Sequence, residues 1–341
     1  MKVLIVRVGA MGDVLHALPG VAALRRARPE WVIDWVVDPR WDALLVDDTG
    51  VGPVVRKVHL AETKAWSAAP FSVGTMRSVV ALRKQLREER YDLVVDMQGT
   101  IRSAVIGRMA GGKVLAGYSD PRESAAARLY TLRLERRGTH VVEQGAALLG
   151  EACGVELTPE TVTLPRIGWT EDWAETEAVL ARPLCVLAAG GGWGAKLWPA
   201  ERFGELAVRL REKGFDVVVN ATRKDDAVAL QVVETSGGVA RMVVCNVAGL
   251  VALLRRTDLF VGGDSGPTHL AAALAVPVVA VFGPTEPARN GPWGPGVVRV
   301  LRRAESVTSY KHVDVADVGL GMMGVEEVLE AAMGVGGSAG L

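Results

Sequence analysis

The chain predicts an α/β fold of two Rossmann-like domains with a cleft between them, and three observations carry that expectation. Short apolar runs alternate with amphipathic stretches of helical period, the pattern of a parallel sheet covered by helices. This alternation breaks once, over residues 155–182, and then starts again. The 341 residues also exceed what a single hydrophobic core usually serves.

The first strand lies in "MKVLIVRVGAMGDVLHALPG", where residues 2–8 run straight into the loop Gly9–Asp13. "VLHALPGVAALRRARPE" follows with helical period and an Arg-rich end suited to a helix C-terminus. "WVIDWVVDP" reads as a second strand ending at Pro39, and "VRKVHL" as a third. "MRSVVALRKQLREERY" is amphipathic, with Val79, Leu82 and Leu86 on one face and charges on the other. "DLVVDMQG" and "KVLAGY" are strands, and residues 139–153 are helical.

The stretch 155–182 carries Pro159 and Pro165 around one short strand and ends against Pro183, so it reads as the connection between domains. The second series is "LCVLAAG", a helix from Pro199 to Lys213, "FDVVVNAT", a helix near 225–235, "RMVVCNV" and a helix near 248–256. It closes with "DLFVGGD", a helix opening at Pro267, and "PVVAVFG". A last helix, "GVEEVLEAAM", precedes a Gly/Ser tail expected to be flexible. The domains are therefore expected at 1–155 and 183–333, joined by 156–182 and followed by a tail at 334–341. Only the architecture repeats, not the residues.

Composition narrows the function. Basic and acidic residues balance at 39 each, so no broad field favours nucleic acid. Cys153, Cys185 and Cys245 are far apart and lack a C-x-x-C spacing, which suits buried thiols in a reducing compartment. No signal-peptide pattern and no apolar run of about 18 residues is present, so the expectation is a soluble or peripheral protein.

Ligands of open parallel sheets bind at the carboxyl ends of strands. Those ends hold Asp13; then Asp96, Gln98 and Arg102 in "DLVVDMQGTIRS"; then "AAGGGWGAKLWP", "NATRKDD", "GGDSGPTHL" and "FGPTEPARNGPWGP". Asp13 could cap its helix or face a ligand. "GGGWGAKLWP" uses a phosphate-binding vocabulary, glycines with a nearby cation, Lys196. It is no Walker A loop, since Ala195 and Leu197 stand where Gly and Ser/Thr are needed. Gly190, Gly192 and Ala195 match only a loose dinucleotide pattern. A strand ending in Asp264, Ser265 and Gly266 before Pro267 makes a helix N-terminal anion site, with His269 one turn on. Asp264 could also serve as a cap, and His269 as a packed core imidazole. No D-x-D or H-x-x-x-H pair suggests a metal, and no cofactor is expected.

"VLIVRVGAMGDVLHALP", "YDLVVDMQGTIRSA", "AKLWPAERF" and "GGDSGPTHLAAALAVPVVAVFGPTEP" closely resemble the lipopolysaccharide heptosyltransferases, in order and spacing most like the heptosyltransferase I branch. The resemblance runs from residue 1 to about 330. It implies the GT-B fold, with the acceptor on the N-terminal domain and the nucleotide sugar on the C-terminal one. It implies metal-free, inverting transfer from ADP-heptose to the Kdo sugar of a Kdo-lipid A type acceptor, at the cytoplasmic face of the inner membrane. It makes Asp13 the general base and Lys196 the diphosphate cation, with Gly191, Gly192, Asp225, Asp264, Ser265, Gly266 and His269 on the donor. Gly12, Lys64, Gln98, Arg102, Arg122 and His140 fall on the acceptor side. Two segments depart from the family: "GGGWG" replaces hydroxyl and charged residues, and "LAETKAWSAAP" keeps one cation, Lys64, in place of a basic cluster. The alternatives are a heptosyltransferase acting on a later core heptose, an NAD-dependent oxidoreductase, and a nucleotide-sugar sensor that has no need of Asp13.

Overall fold

Val3 to Val6 are fully buried, as they must be in a strand covered on both faces. They form the middle of β1 (Lys2–Val6), the inner strand of the first of two parallel sheets. The structure, a computed structural model, describes residues 1–165, 180–309, 315 and 317–337. It divides into two compact units, Met1–Arg166 and Ile167–Leu341.

In the first unit β1 is joined by β2 (Val32–Val37), β3 (Lys57–Leu60), β4 (Leu93–Asp96), β5 (Val114–Tyr118) and β6 (Leu132–Leu134). Their order is β3-β2-β1-β4-β5-β6, every pairing parallel. Between them run α1 (Met11–Ala27), α2 (Thr63–Ala68), α3 (Val73–Glu89), α4 (Ile101–Ala110) and, after β6, α5 (Val141–Cys153). The second unit repeats the design with β7 (Leu184–Ala188), β8 (Asp216–Ala221), β9 (Arg241–Val244), β10 (Leu259–Gly263), β11 (Val278–Phe282) and β12 (Val298–Arg302). The order is β12-β11-β10-β7-β8-β9, again all parallel. Its helices are α6 (Ala200–Glu212), α7 (Ala227–Thr235), α8 (Val247–Leu254), α9 (Gly266–Ala273), α10 (Pro287–Asn290), α11 (Val318–Met322) and α12 (Val325–Gly337).

Both orders are the doubly wound arrangement whose direction reverses between the first and fourth strands. The reversal leaves a crevice at the carboxyl ends of β1 and β4 in one unit, and of β7 and β10 in the other. The residues beyond those four strands are therefore the ones the fold offers to a ligand.

Several expectations are corrected. α1 opens at Met11, so Gly12 and Asp13 lie in its first turn and not in a loop. α9 opens at Gly266, one residue before Pro267. α12 continues through the glycines to Gly337, beyond the expected start of the tail, and 338–341 lie outside the described residues. No strand forms over 155–165, and the remainder of the expected connection, 166–179, lies outside the described residues. α2 and β6, of six and three residues, are too short to carry a readable period. No helix among the described residues is long and apolar enough to cross a membrane.

Candidate active site

In the first unit the crevice is built around Arg7. Its carbonyl accepts a hydrogen bond from the indole of buried Trp35 at 2.9 Å, which fixes the end of β1. Its guanidinium donates to the Met97 carbonyl beyond β4 and to the Asp13 carbonyl at 3.2 Å. Its Nη2 also pairs with Asp13 Oδ1 at 2.8 Å. The second carboxylate oxygen, Oδ2, accepts the Ala10 backbone N–H at 3.1 Å. That bond explains the early helix start, because a first-turn carboxylate reaching back to the N-cap satisfies a donor the helix cannot. Asp13 is thus a cap and still presents a side chain that is 34% exposed.

Beyond β4, the buried Asp96 carboxylate accepts from Gln98 N, Gly99 N, Ser103 Oγ and Tyr130 Oη at 2.7–3.1 Å. Burial pushes its carboxyl up against those four bonds. Asp96 therefore ties down the loop that carries Gln98. The Gln98 side-chain oxygen crosses the crevice to accept from Val8 N at 2.8 Å and Gly9 N at 3.4 Å. Gly99 adopts φ +73° above the Arg122 backbone, where a Cβ would sit 3.1 Å from Arg122 N.

Of the acceptor-side residues, Gly12 and Gln98 share this crevice with Asp13. Lys64 on α2, Arg102 on α4 and Arg122 beyond β5 are exposed, and among the described residues no hydrogen bond or ion pair links them to Asp13. His140 is buried and caps α5, its Nδ1 accepting from Val142 N at 3.2 Å. Its ring meets His16 of α1 edge-on at 5.6 Å. The place of His140 is thus in the packing of α1 on α5.

In the second unit, Lys196 ends a short turn, Gly194–Lys196, between β7 and α6. Trp198, two residues on, is buried against Phe203 and donates its indole N–H to the Met323 carbonyl at 3.0 Å, which pins the loop. Gly190 and Gly192 have open space around them, while a Cβ at Gly191 would lie 2.9 Å from Leu197. Lys196 Nζ bonds Asp264 Oδ2 at 2.5 Å, joining the ends of β7 and β10 across the crevice. It also lies 5.3 Å from the Trp193 ring centre. Lys196 is thus a half-buried cation paired across the crevice with Asp264.

The Asp264 carboxylate, 8% exposed, further accepts from Thr285 Oγ1 at 2.7 Å and meets His269 Nε2 at 3.3 Å. Burial pushes its carboxyl up, but the His269 hydrogen bond and the ammonium of Lys196 outweigh that. The group is held well below the usual carboxylate range. Asp264 is not a cap: Ser265 holds that position for α9. Ser265 Oγ meets Thr268 Oγ1 at 3.2 Å, and Thr268 donates to the Gly263 carbonyl at 2.5 Å. A Cβ at Gly263 would come 3.1 Å from the Lys196 carbonyl, so the close approach of the two loops favours glycine there. Asp225 sits apart beyond β8, 81% exposed and 3.4 Å from Arg223.

Sequence reasoning missed Arg7 and Thr285. A charged residue closing an apolar run was the signal for Arg7, and the strand-end segment "FGPTEP" already contained Thr285. Asp34, His59 and Glu89 are close enough together to resemble a metal site. Arg56 instead fills the space, pairing with Asp34 at 2.5 Å and Glu89 at 2.6 Å, and Tyr91 donates to Asp34 at 2.8 Å. That group is an ion network.

Residues 79–317 match the family Glycosyltransferase family 9 (heptosyltransferase). The chain belongs to that family. As a family 9 member it is a glycosyltransferase, and its two doubly wound units are of the GT-B class. It is 31% identical over 310 residues to lipopolysaccharide heptosyltransferase 1 of Pseudomonas aeruginosa, covering 86% of this chain and 82% of the relative. In fold it is similar to the Escherichia coli heptosyltransferase WaaC with ADP, at TM-score 0.76 and 24% identity over 97% of this chain and 98% of that one. It is equally similar to E. coli ADP-heptose lps heptosyltransferase II, at TM-score 0.77 and 22% identity over the whole of both chains.

Proposed function

We propose that this family 9 chain transfers L-glycero-D-manno-heptose from ADP-heptose to the Kdo sugar of the lipopolysaccharide inner core, inverting the anomeric centre. The observation that carries the chemistry is Asp13, a half-buried carboxylate held by Arg7 at the crevice of the first unit. Displacement at an anomeric carbon needs a hydroxyl that loses its proton as it attacks, and one carboxylate can accept it. The acceptor oxygen bonds to the anomeric carbon, the bond from that carbon to the diphosphate breaks, the proton moves to Asp13, and ADP leaves.

The departing diphosphate gains charge, and in this reading Lys196 and the N–H groups at the α9 N-terminus stabilise it. Asp264 is a positioning residue in this scheme. A carboxylate repels a phosphate, so its part is to hold Lys196 and His269 in place. Residues 1–155 would then bind the acceptor and 183–333 the nucleotide sugar, with Asp225 beside the ribose. A lipid-linked acceptor would bring the protein to the cytoplasmic face of the inner membrane.

The Kdo assignment rests on likeness to a relative named heptosyltransferase 1, and the equal fold likeness to a heptosyltransferase II favours a second reading, transfer to a core heptose. A turnover assay separates them. With ADP-heptose, a Kdo-terminated acceptor should turn over and a heptose-terminated one should not. The reverse preference would select the second reading, and absence of turnover with both would overturn the function. Activity is expected to persist in chelator.

A further inference from the structure

We infer that the outer face of α3, with the loop before it, is a docking surface for an anionic phospholipid bilayer. Phe71, Val73, Met76 and Val80 are 94%, 63%, 61% and 64% exposed, an unusual run of large apolar side chains in water. At 100° per residue, Val73, Met76 and Val80 share one helix face with Arg77, Arg83, Lys84 and Arg87. All of these are exposed, while Leu82 and Leu86 point the opposite way into the core. The face is apolar over its first two turns and basic over the rest. The basic half borders an open groove lined by Val80, Arg83, Lys84, Arg87, Glu88 and Arg90.

The tip is also firmly held. Thr75 Oγ1 donates to the Ala69 carbonyl at 2.8 Å, Ser72 Oγ accepts from Thr75 N at 3.0 Å, and the Trp66 indole donates to Ser78 at 3.1 Å. The structure thus orders the loop while leaving the Phe71 ring bare. Basic residues in a last turn complement the helix dipole, which accounts for Arg87 and Arg90 but not for Arg77, Arg83 and Lys84. Two acidic residues lie in the same stretch. Glu89 turns inward to Arg56 and Lys57, and Glu88, 3.9 Å from Lys84, faces out. In a chain whose charges balance only as a whole, such a stripe beside apolar side chains complements an anionic interface, with the apolar tip entering the acyl boundary and the cations at the headgroups.

This inference draws on the proposed function only in that a lipid-linked acceptor requires a meeting with a bilayer. The test therefore uses vesicles free of acceptor, so failure of one reading is separate from failure of the other. The full chain is sedimented with vesicles of phosphatidylglycerol and phosphatidylcholine, and with phosphatidylcholine alone. Binding should need the anionic lipid and weaken with salt. Arg83→Gln with Lys84→Gln should weaken it about 25-fold, at about fivefold for each cation near the surface. Phe71→Ser with Met76→Ser should also release the protein, and both variants should melt as the wild type does. Turnover on a lipid-free acceptor should be unchanged. Wild-type protein that ignores anionic vesicles, or variants that bind like wild type, would overturn the inference. So would light scattering showing a dimer that these substitutions dissociate, or loss of turnover on the lipid-free acceptor.

Discussion

Replacing Lys196 by alanine should weaken both the fold and the binding of ADP, and a second substitution tells the two effects apart. Lys196 and Asp264 are 17% and 7% exposed at their side chains, and their charged atoms are 2.5 Å apart. Removing one partner of a buried ion pair costs about 3–5 kcal/mol, because the other charge is left without compensation. Here Thr285 and His269 still face the carboxylate at 2.7 and 3.3 Å, so the loss should fall toward about 2 kcal/mol. For a unit of this size that is a fall in melting temperature of about 4–8 °C. Adding Asp264→Asn removes the stranded charge and should recover most of the stability. ADP affinity should behave differently. It should drop about 10- to 100-fold in Lys196→Ala and stay low in the double variant, because the charged hydrogen bond proposed from Lys196 to phosphate is gone in both. Thermal melts and calorimetric titration with ADP read the two quantities independently. A Lys196→Ala protein that melts with the wild type, or a double variant that regains ADP affinity, would refute the reasoning.

Two further outcomes are expected. Arg7→Lys should lower kcat by about a hundredfold while leaving ADP binding intact, because a lysine cannot hold the Asp13 carboxylate, the Asp13 carbonyl and the Met97 carbonyl together; steady-state kinetics beside ADP titration decide it. Burial, with Lys57 nearby, pulls the His59 imidazole below its ordinary value of 6.5, so below that pH the unfolded chain takes a proton that the folded one refuses. Stability should then fall as pH drops from about 6.5 toward the folded value and level off beneath it, and His59→Gln should flatten that slope in melts across the range.

How much of this was legible in the sequence depends on how far apart the partners stand. Most strands were readable because each is an apolar run closed by glycine or a polar residue, and the segments beyond their ends held Asp13, Gln98, Lys196 and Asp264; β6, of three residues, and β12, whose apolar positions alternate with Arg299 and Arg302, were not. The pairing of Lys196 with Asp264 was not readable, because 68 positions separate them. They meet only because the doubly wound order puts β7 beside β10. Asp13 looked like a loop residue since Gly9 and Gly12 suggest flexibility, while the helix start depends on its reach back to Ala10. His140 resembled a ligand-binding cation, yet Glu143, three residues on, accepts from His140 N at 3.0 Å, the reciprocal half of a helix cap. That spacing was visible in the sequence.

The central claim is that Asp13 takes the acceptor proton, and Asp13→Asn tests it most directly. Asparagine can still accept from the Ala10 N–H, and the lost ion pair to Arg7 is partly exposed, so stability should fall by no more than about 1 kcal/mol. The shape of the crevice is kept and only the proton acceptor is removed. The account predicts a folded protein that binds ADP like the wild type and turns over ADP-heptose at least about a hundredfold more slowly. Turnover near the wild-type rate in that folded variant would contradict it, and would leave Asp13 as a helix cap alone.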